Sequence, residues 1–208
     1  MNDDCVLLLE QWSLAKAFDL PPNSTVFVIG AYQGLAMELL SEVYHPRHLV
    51  GFEPQLWAVE AATKRLNGRS YTLFPAGLGI EKGTFPMGEY HTDGCSFVNT
   101  GPESRTQGEG QLWDADETLL VLNPSKIDLM IMNIEGYEWY LLPYLQQKGW
   151  LGKIDRLAVQ WHYDLGEDPM SDKDVSRYVD NIEQVGLKLN IDLRPAWTYF
   201  VRNNVQKE

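Results

Sequence analysis

Short apolar runs alternate along this chain with segments in which apolar residues recur at helical spacing. Residues 26–29 are all apolar, and Ala36, Leu39, Leu40 and Val43 then fall at positions i, i+3, i+4 and i+7 of the next segment. A continuous apolar run predicts a buried strand, whereas that spacing predicts a helix with one face on a sheet. The regular part of the chain therefore begins with a strand followed by a helix.

The same alternation continues towards the end of the chain. The segments "HLVGFEP", "YTLFPAGLG", "KIDLMIMNIEG" and "IDRLAVQWHY" are each predicted to be a strand, and helical spacing follows most of them. Ser171 and Asp174 have the spacing of a capping box at the start of a further helix. Alternating strands and helices predict an α/β fold with a doubly wound parallel sheet. The inward helical faces are predicted to hold Val59, Ala62 and Leu66; Leu141, Leu142 and Leu145; and Val175, Tyr178, Val179 and Ile182.

The last two strands must run in opposite directions. "LKLNIDL" and "WTYFVR" are separated only by Arg194, Pro195 and Ala196, whereas a parallel crossover needs roughly a dozen residues. The predicted fold is thus a doubly wound, mostly parallel seven-stranded sheet with an antiparallel C-terminal hairpin. This ending favours the methyltransferase variant of the fold over a dinucleotide-binding Rossmann domain, which ends on parallel strands.

Periodicity disappears between residues 80 and 110, through which six glycines are spread. Such a segment predicts a long loop, and long loops in compact domains are often functional. We therefore expect the loop 80–110 to form a substrate cap, followed by a short helix around Leu112, Ala115, Leu119 and Leu122. The chain is predicted to be a single domain over residues 1–208, with residues 1–24 as an N-terminal segment.

Charge and composition limit the classes of binding partner that the sequence predicts. The chain of 208 residues has 29 acidic and 17 basic side chains and a net charge of −12, which repels phosphate groups. We therefore expect no nucleic-acid partner. No apolar run reaches the length of a bilayer span, and acidic residues stand where a signal peptide carries basic ones, so a cytoplasmic protein without a membrane span is predicted. Cys5 and Cys95 lack metal-site spacing and are expected to be free thiols.

The turn after the first strand is the first candidate binding element. In "VFVIGAYQG", Gly30 permits a sharp bend and Gly34 permits close approach of backbone to a ligand at a helix N-terminus. Their GxxxG spacing fits a dinucleotide pyrophosphate less well than GxGxxG does. Glu53, 19 residues after Gly34, ends the second strand, where a carboxylate can accept both hydroxyls of a ribose.

These segments resemble the FkbM-type S-adenosylmethionine-dependent methyltransferases. The resemblance rests on "FVIGAYQG", "GFEP", "PAGLGIEKGT" and above all "IDLMIMNIEGYEWYLL", and it covers about residues 24 to 165. It implies a class I methyltransferase fold, a cytosolic location, S-adenosylmethionine as cofactor and methyl transfer to a hydroxyl, commonly of a sugar or a polyketide-type metabolite.

The resemblance also assigns residues. Gly30, Ala31 and Gly34 match the positions at the methionine end of the cofactor, and Glu53 matches the ribose position. Ala76 and Gly77 would flank the adenine. The implied cofactor-binding set is Gly30, Ala31, Tyr32, Gly34, Glu53, Pro54, Ala76, Gly77 and Asn133, and the signature residues Glu135, Gly136 and Glu138 follow the fourth strand.

Four positions depart from the family pattern. Family members usually have Asp, Asn, Asp and Glu where this chain has Val28, Tyr32, Asn133 and Gln160. Each change removes or neutralises a polar group near the expected cleft. Asn133 retains hydrogen bonding but gives up a charge.

The first candidate general base for activating a hydroxyl is His162, in "QWHYD" at a strand end. Glu135 beside the transferred methyl and His91 in the predicted loop complete the candidate catalytic set, although each histidine could instead be structural or exposed. Cys95 has no adjacent base in the sequence that could activate it as a nucleophile, so covalent catalysis through this thiol is not expected. Asn133, Glu135 and Asp164 could approach one another as ligands of Mg²⁺, but their spacing matches no metal motif, so no metal is predicted.

Three hypotheses remain from the sequence. The first is an O-methyltransferase acting on a sugar or another hydroxylated small molecule. The second is a cofactor-binding but catalytically weak relative that acts through partner contacts, which the four departures suggest. The third is a nucleotide-sugar or NAD-dependent oxidoreductase, which the terminal hairpin and the glycine spacing disfavour.

Overall fold

The computed structural model describes residues 18–90, 94–98, 106–163, 171–194, 197–203 and 205. His91 and Asp164 lie outside these ranges, as does most of the predicted N-terminal segment. The strands are β1 Thr25–Ile29, β2 His48–Phe52, β3 Thr72–Phe74, β4 Gly77–Gly79, β5 Gly83–Tyr90, β6 Gly94–Ser96, β7 Thr106–Asp114, β8 Leu129–Met132, β9 Arg156–Gln160, β10 Leu187–Leu193 and β11 Trp197–Arg202. The helices are α1 Leu35–Tyr44, α2 Leu56–Arg65, α3 Ala115–Leu122, α4 Glu138–Gln147 and α5 Asp172–Gln184, with a 3₁₀ turn at Trp150–Lys153.

The main sheet has seven strands in the order β10-β11-β9-β8-β1-β2-β3. β1 is parallel to β2 and to β8, and β9 is parallel to β8. β11 is antiparallel to both β9 and β10, which confirms the predicted C-terminal hairpin. The strand order reverses between β1 and β8, so a crevice for ligands is expected beyond their carboxyl ends.

Apolar side chains fill both sides of this sheet. On one side Val28, Ile131 and Ala158 pack with Met37 and Leu40 of α1. The other side carries the larger core, formed with side chains from three helices, α3, α4 and α5. Representative members of that core are Phe27, Met132, Val159, Leu119, Leu141 and Val179. The predicted helical stripes and strands thus build a layered α/β fold.

The prediction of a loop over residues 80–110 is wrong for the part that the structure describes. β4, β5, β6 and β7 form a second, four-stranded sheet in the order β4-β7-β5-β6. A Cβ on Gly110 would lie 2.5 Å from the sulfur of Met87, so this glycine provides the space for a large cross-strand side chain. Because glycines occupy positions where a strand would otherwise show apolar residues, the alternation that identifies strands is lost.

The segment "YTLFPAGLG" is likewise two strands rather than one, since β3 joins the main sheet and β4 joins the second sheet. α3 begins later than predicted, at Ala115, and Leu112 lies in β7. The side chain of Asp114 caps α3 by accepting a hydrogen bond from the backbone N–H of Glu117 at 2.8 Å. The predicted capping box at Ser171 and Asp174 is present at the start of α5.

Over the ranges that the structure describes, none of the helices combines the length and the apolar character that crossing a membrane requires. The cytoplasmic location stays a prediction.

Candidate active site

The turn between β1 and α1 is held by its backbone. Gly30 and Gly34 both have φ of 82°, a value that favours glycine, and Tyr32 between them has φ of 44°. The N–H groups of Gly30 and Ala31 donate to the carbonyl of Phe52 at 3.0 and 2.9 Å. The turn is therefore fixed against the end of β2.

Both glycines are needed for contacts within the protein. A Cβ on Gly30 would overlap the backbone carbonyl of Asn133, and one on Gly34 would lie 2.9 Å from the Cβ of Ala62 in α2. The bend that the sequence predicts at Gly30 is observed. At Gly34 the nearest atoms belong to α2, so its small size allows close packing of two helices; approach to a ligand there stays a prediction.

This geometry predicts how an alanine at position 34 affects stability. Gly149 has a similar φ of 79° but open space around its missing Cβ. We expect Gly34→Ala to lower the free energy of unfolding by about 1 kcal/mol more than Gly149→Ala does, because only Gly34→Ala adds overpacking to backbone strain. Urea denaturation of both variants measures the difference. Equal losses would show that the contact with Ala62 does not restrict the site.

Glu53 is buried at the end of β2, with 3% of its surface exposed. Its Oε2 accepts a hydrogen bond from the N–H of Tyr32 at 2.8 Å, and its Oε1 accepts one from the N–H of Gln55 at 2.9 Å. The pKa of the Glu53 carboxyl is raised to about 7, mainly by burial; the two N–H groups oppose this rise and the nearby charge of Glu135 adds to it. Each carboxylate oxygen can accept one more hydrogen bond.

A partly exposed aromatic pair lies beside Glu53. The ring of Tyr32 meets that of Trp57 edge to face, with centroids 5.4 Å apart. Trp57 is 49% exposed, and its Nε1 donates to the side chain of Gln55 at 2.8 Å. The pair therefore offers apolar surface next to a buried carboxylate, a combination that suits a nucleoside or a sugar ring.

The predicted adenine positions are enclosed. Ala76 is fully buried, and a Cβ on Gly77 would lie 2.9 Å from Leu112, 3.5 Å from the ring of Phe97 and 3.8 Å from Pro54. The Phe97 ring also lies 6.2 Å from that of Tyr137. Residues after β6 thus reach back to the edge of the main sheet.

Ser96 fixes this segment to the turn after β8. Its hydroxyl donates to the carbonyl of Glu135 at 2.6 Å and accepts from the N–H of Val98 at 2.9 Å. Glu135 and Gly136 have φ of 51° and 91°, so the turn is sharp. The described part of the predicted cap is therefore docked on the candidate catalytic turn.

His162 lies between two glutamates. Its Nδ1 is 3.0 Å from Oε1 of Glu138, and its Nε2 is 3.3 Å from Oε2 of Glu135. Its backbone N–H also donates to Oε1 of Glu138 at 2.8 Å, while Oε2 of Glu138 accepts from the N–H of Gly136 at 2.9 Å. Glu138 is fully buried. A carboxylate held in this way orients the imidazole so that Nδ1–H donates to it and Nε2 faces Glu135.

The structure leaves the metal prediction open. Among the described residues, no three His, Cys, Asp or Glu side chains are placed to hold a metal ion. Asp164 lies outside those residues. The expectation that no metal is bound therefore stays a prediction.

No family model matches the sequence, and no curated protein matches it. Similarity is found among solved structures. An rRNA methylase from Streptococcus thermophilus is 16% identical with a TM-score of 0.54, over 93% of this chain and 94% of that one. Aeropyrum pernix fibrillarin with natively bound S-adenosylmethionine is 15% identical with a TM-score of 0.53, over 93% and 74%. The magnesium protoporphyrin IX methyltransferase of Synechocystis, also with bound S-adenosylmethionine, is 10% identical with a TM-score of 0.55, over 94% and 78%.

The chain has a class I methyltransferase fold. The sheet order, the terminal hairpin and these similarities confirm the fold that the sequence predicts. At 10–16% identity the likeness establishes architecture and leaves FkbM membership unconfirmed.

The expected absence of a nucleic-acid partner is contradicted by the same comparison. A structure of this fold with nearly the same length is an rRNA methylase. The inference from net charge was wrong because total charge sets the long-range field, whereas RNA recognition depends on local stacking and hydrogen bonding to bases and ribose.

Sequence reasoning missed two features of the site. The spacing of Glu135 and Glu138 around Gly136 could have indicated two carboxylates converging on one histidine. Trp57 lies off the apolar stripe formed by Val59 and Ala62, and an aromatic residue off such a stripe is a signal for an exposed contact surface.

Proposed function

We propose that this protein transfers a methyl group from S-adenosylmethionine to a hydroxyl group. The observation that carries the proposal is Glu53, a buried carboxylate at the point where strand order reverses, in a fold also found in structures with bound S-adenosylmethionine. When bound, this cofactor supplies an electrophilic methyl group on a sulfonium.

The residues at the crevice fit such a cofactor. Glu53 keeps acceptor capacity on both oxygens, and its raised pKa is the signature of a carboxyl whose charge is incompletely compensated. Ribose hydroxyls would supply the missing donors. The turn from Gly30 to Gly34 would receive the methionine end, and Pro54, Ala76 and Gly77 would bound the adenine.

His162 is the proposed general base. Nε2 would accept the proton of the acceptor hydroxyl as the new carbon–oxygen bond forms and the carbon–sulfur bond breaks, with S-adenosylhomocysteine as the leaving group. Glu138 holds the ring through Nδ1, and Glu135, with 24% of its side chain exposed, can pass the proton towards solvent. Most of the rate enhancement would come from holding acceptor and methyl in line.

The pKa of Glu53 predicts how cofactor affinity depends on pH. Hydroxyl donors favour the ionised carboxylate, so the complex holds this carboxyl at a lower pKa than the free protein does. Binding therefore releases a proton below about pH 7, and affinity rises with pH until the free carboxyl is ionised. We expect S-adenosylhomocysteine to bind about 3- to 10-fold more tightly at pH 8 than at pH 6.

Titration calorimetry at the two pH values measures this ratio. Glu53→Gln is the control, because it keeps the size of the side chain and cannot ionise. The same pH effect in that variant would assign it to another group and contradict the role of Glu53.

A second candidate function is that of a cofactor-binding protein with weak or no transferase activity. It is favoured by Val28, which is 1% exposed in the apolar core where the family pattern has a carboxylate. Transfer of a labelled methyl group from S-adenosylmethionine to a panel of free sugars and RNA separates the two. Labelled product supports the enzyme; cofactor binding without product on any acceptor supports the second reading.

A further inference from the structure

Three unpartnered polar atoms lie together at the carboxyl edge of the main sheet. Among the side chains that the structure describes, Oδ1 of Asn133, Oε1 of Gln160 and Nε1 of Trp197 are buried and have no hydrogen-bond partner. Trp197 is 3% exposed, whereas Asn133 and Gln160 are half-buried. An unpaired buried polar atom costs about 1–3 kcal/mol, so three in one place indicate an incomplete site.

Strand register makes these residues neighbours. Met132 of β8 is opposite Val159 of β9, so the next residues along the two strands, Asn133 and Gln160, lie in the same register. Asn133 is also held to β1, because its N–H donates to the carbonyl of Ile29 at 3.0 Å. Gln160 is in turn paired with Trp197 of β11. Neighbouring strands are about 4.8 Å apart, so the three side chains form a row about 10 Å long.

The row lies on one face of the sheet. Ile131, Ala158 and Trp197 belong to the core on the α1 side, and Asn133 and Gln160 continue the alternation of β8 and β9 on that side. His162 is only two residues beyond Gln160. The row therefore spans three adjacent strands, β8, β9 and β11, on the α1 side of the sheet.

The chemistry of the row specifies its ligand. It combines two amide side chains with one indole N–H and contains no charged group, so it can both accept and donate hydrogen bonds to a neutral molecule. Side chains from three adjacent strands can reach several hydroxyl groups of one molecule. Sites that hydrogen-bond substrate hydroxyls are also strongly selective, because without those hydroxyls their polar atoms stay unpaired.

We propose that Asn133, Gln160 and Trp197 bind the hydroxyl groups next to the one that is methylated, and thereby select a ring with vicinal hydroxyls as acceptor. This inference rests on the proposed function, and it places Asn133, which the family resemblance assigns to the cofactor, at the acceptor instead. The ring can be a free sugar or the 3′-terminal ribose of RNA, since both present vicinal hydroxyls, whereas an internal ribose has only its 2′-hydroxyl free.

Saturation-transfer NMR on the full chain saturated with S-adenosylhomocysteine tests the proposal. Methyl α-D-glucopyranoside serves as the free-sugar probe, and hexauridylate serves as the ribose probe, with deoxyuridine hexamer as the partner that lacks vicinal hydroxyls. We expect one of the two hydroxylated probes to bind. The arm that binds identifies the source of the ring.

Gln160→Met is the decisive variant, because it keeps the volume of the side chain and removes an unpaired polar atom. We expect it to weaken binding of that probe about 3- to 10-fold while the affinity for S-adenosylhomocysteine is unchanged and the unfolding temperature is the same or higher, because the variant lacks the unpaired oxygen. Trp197→Phe, which removes the N–H donor and makes the aromatic ring smaller, should act in the same direction. Ser24→Ala is the matched control, since it removes another unpaired buried oxygen, Oγ of Ser24, at the opposite edge of the sheet.

The outcomes separate the two proposals. If S-adenosylhomocysteine binds but neither hydroxylated probe does, or if Gln160→Met binds the probe like the wild type, the row is not an acceptor site. Equal binding of the deoxy hexamer would also overturn it. Failure to bind S-adenosylhomocysteine would instead reject the proposed function.

Discussion

Replacement of His162 by alanine is expected to lower methyl-transfer turnover about 100- to 10,000-fold, the range for loss of a general acid–base group. The affinity for S-adenosylhomocysteine should change by less than about twofold, because the imidazole acts on the acceptor and not on the cofactor. Single-turnover kinetics with labelled S-adenosylmethionine, beside calorimetry of the same variant, measures both quantities.

The fold should tolerate this change. Glu138 keeps its bonds to the backbone N–H groups of Gly136 and position 162 when the ring is removed. Glu138→Gln is the matched comparison, since it keeps the ring but weakens its orientation, and a loss of about tenfold in turnover is expected. Wild-type turnover in His162→Ala would reassign the histidine to a structural role.

Glu53→Ala is expected to weaken S-adenosylmethionine binding about 10- to 100-fold. The change removes the proposed acceptor of the ribose hydroxyls and also leaves the N–H groups of Tyr32 and Gln55 without a partner in a buried turn. Loss of one such set of polar contacts costs about 1–3 kcal/mol of binding free energy, which corresponds to the expected 10- to 100-fold loss of affinity. Calorimetric titration at pH 8 measures the effect with the wild-type carboxyl ionised.

Glu42→Ala controls for the loss of one negative charge. Glu42 lies on α1, where its side chain pairs with Arg69 at 2.5 Å and is 53% exposed. We expect wild-type affinity in this variant. Unchanged affinity in Glu53→Ala would reject the ribose assignment.

The architecture follows from the sequence because its main signals are strong. The run 26–29 and residues 129–132 within "KIDLMIMNIEG" are buried on both faces of the sheet, so their apolar character is nearly continuous. The three residues between β10 and β11 exclude a parallel connection on length alone. The apolar runs and the short connection are both local features of the sequence. Each is compatible with one arrangement, a buried strand in the first case and an antiparallel hairpin in the second.

The second sheet could not be predicted from the same signals. In β5 and β7, side chains such as Met87 pack onto glycines such as Gly110, and a glycine carries no hydropathy to mark the inward face. The information lies in the pairing of two distant strands. The hydropathy pattern of each segment taken separately therefore predicts a loop where the structure has paired strands.

The sequence predicts those features of the site that depend on where a residue stands relative to a strand. It does not predict the features that depend on packing between distant segments. Glu53 follows from its place at the end of β2, yet its raised pKa arises from burial that the sequence does not show. The bonds between His162 and Glu138 join residues 24 apart, and the unpaired Nε1 of Trp197 is visible only once three strands are in register.

Titration calorimetry of the wild-type chain with S-adenosylhomocysteine, beside a titration with NAD⁺, tests whether the crevice at Glu53 binds this cofactor. We expect saturable binding of one S-adenosylhomocysteine per chain and no heat from NAD⁺. Absence of binding at millimolar S-adenosylhomocysteine would contradict a cofactor crevice at Glu53 and leave only the fold.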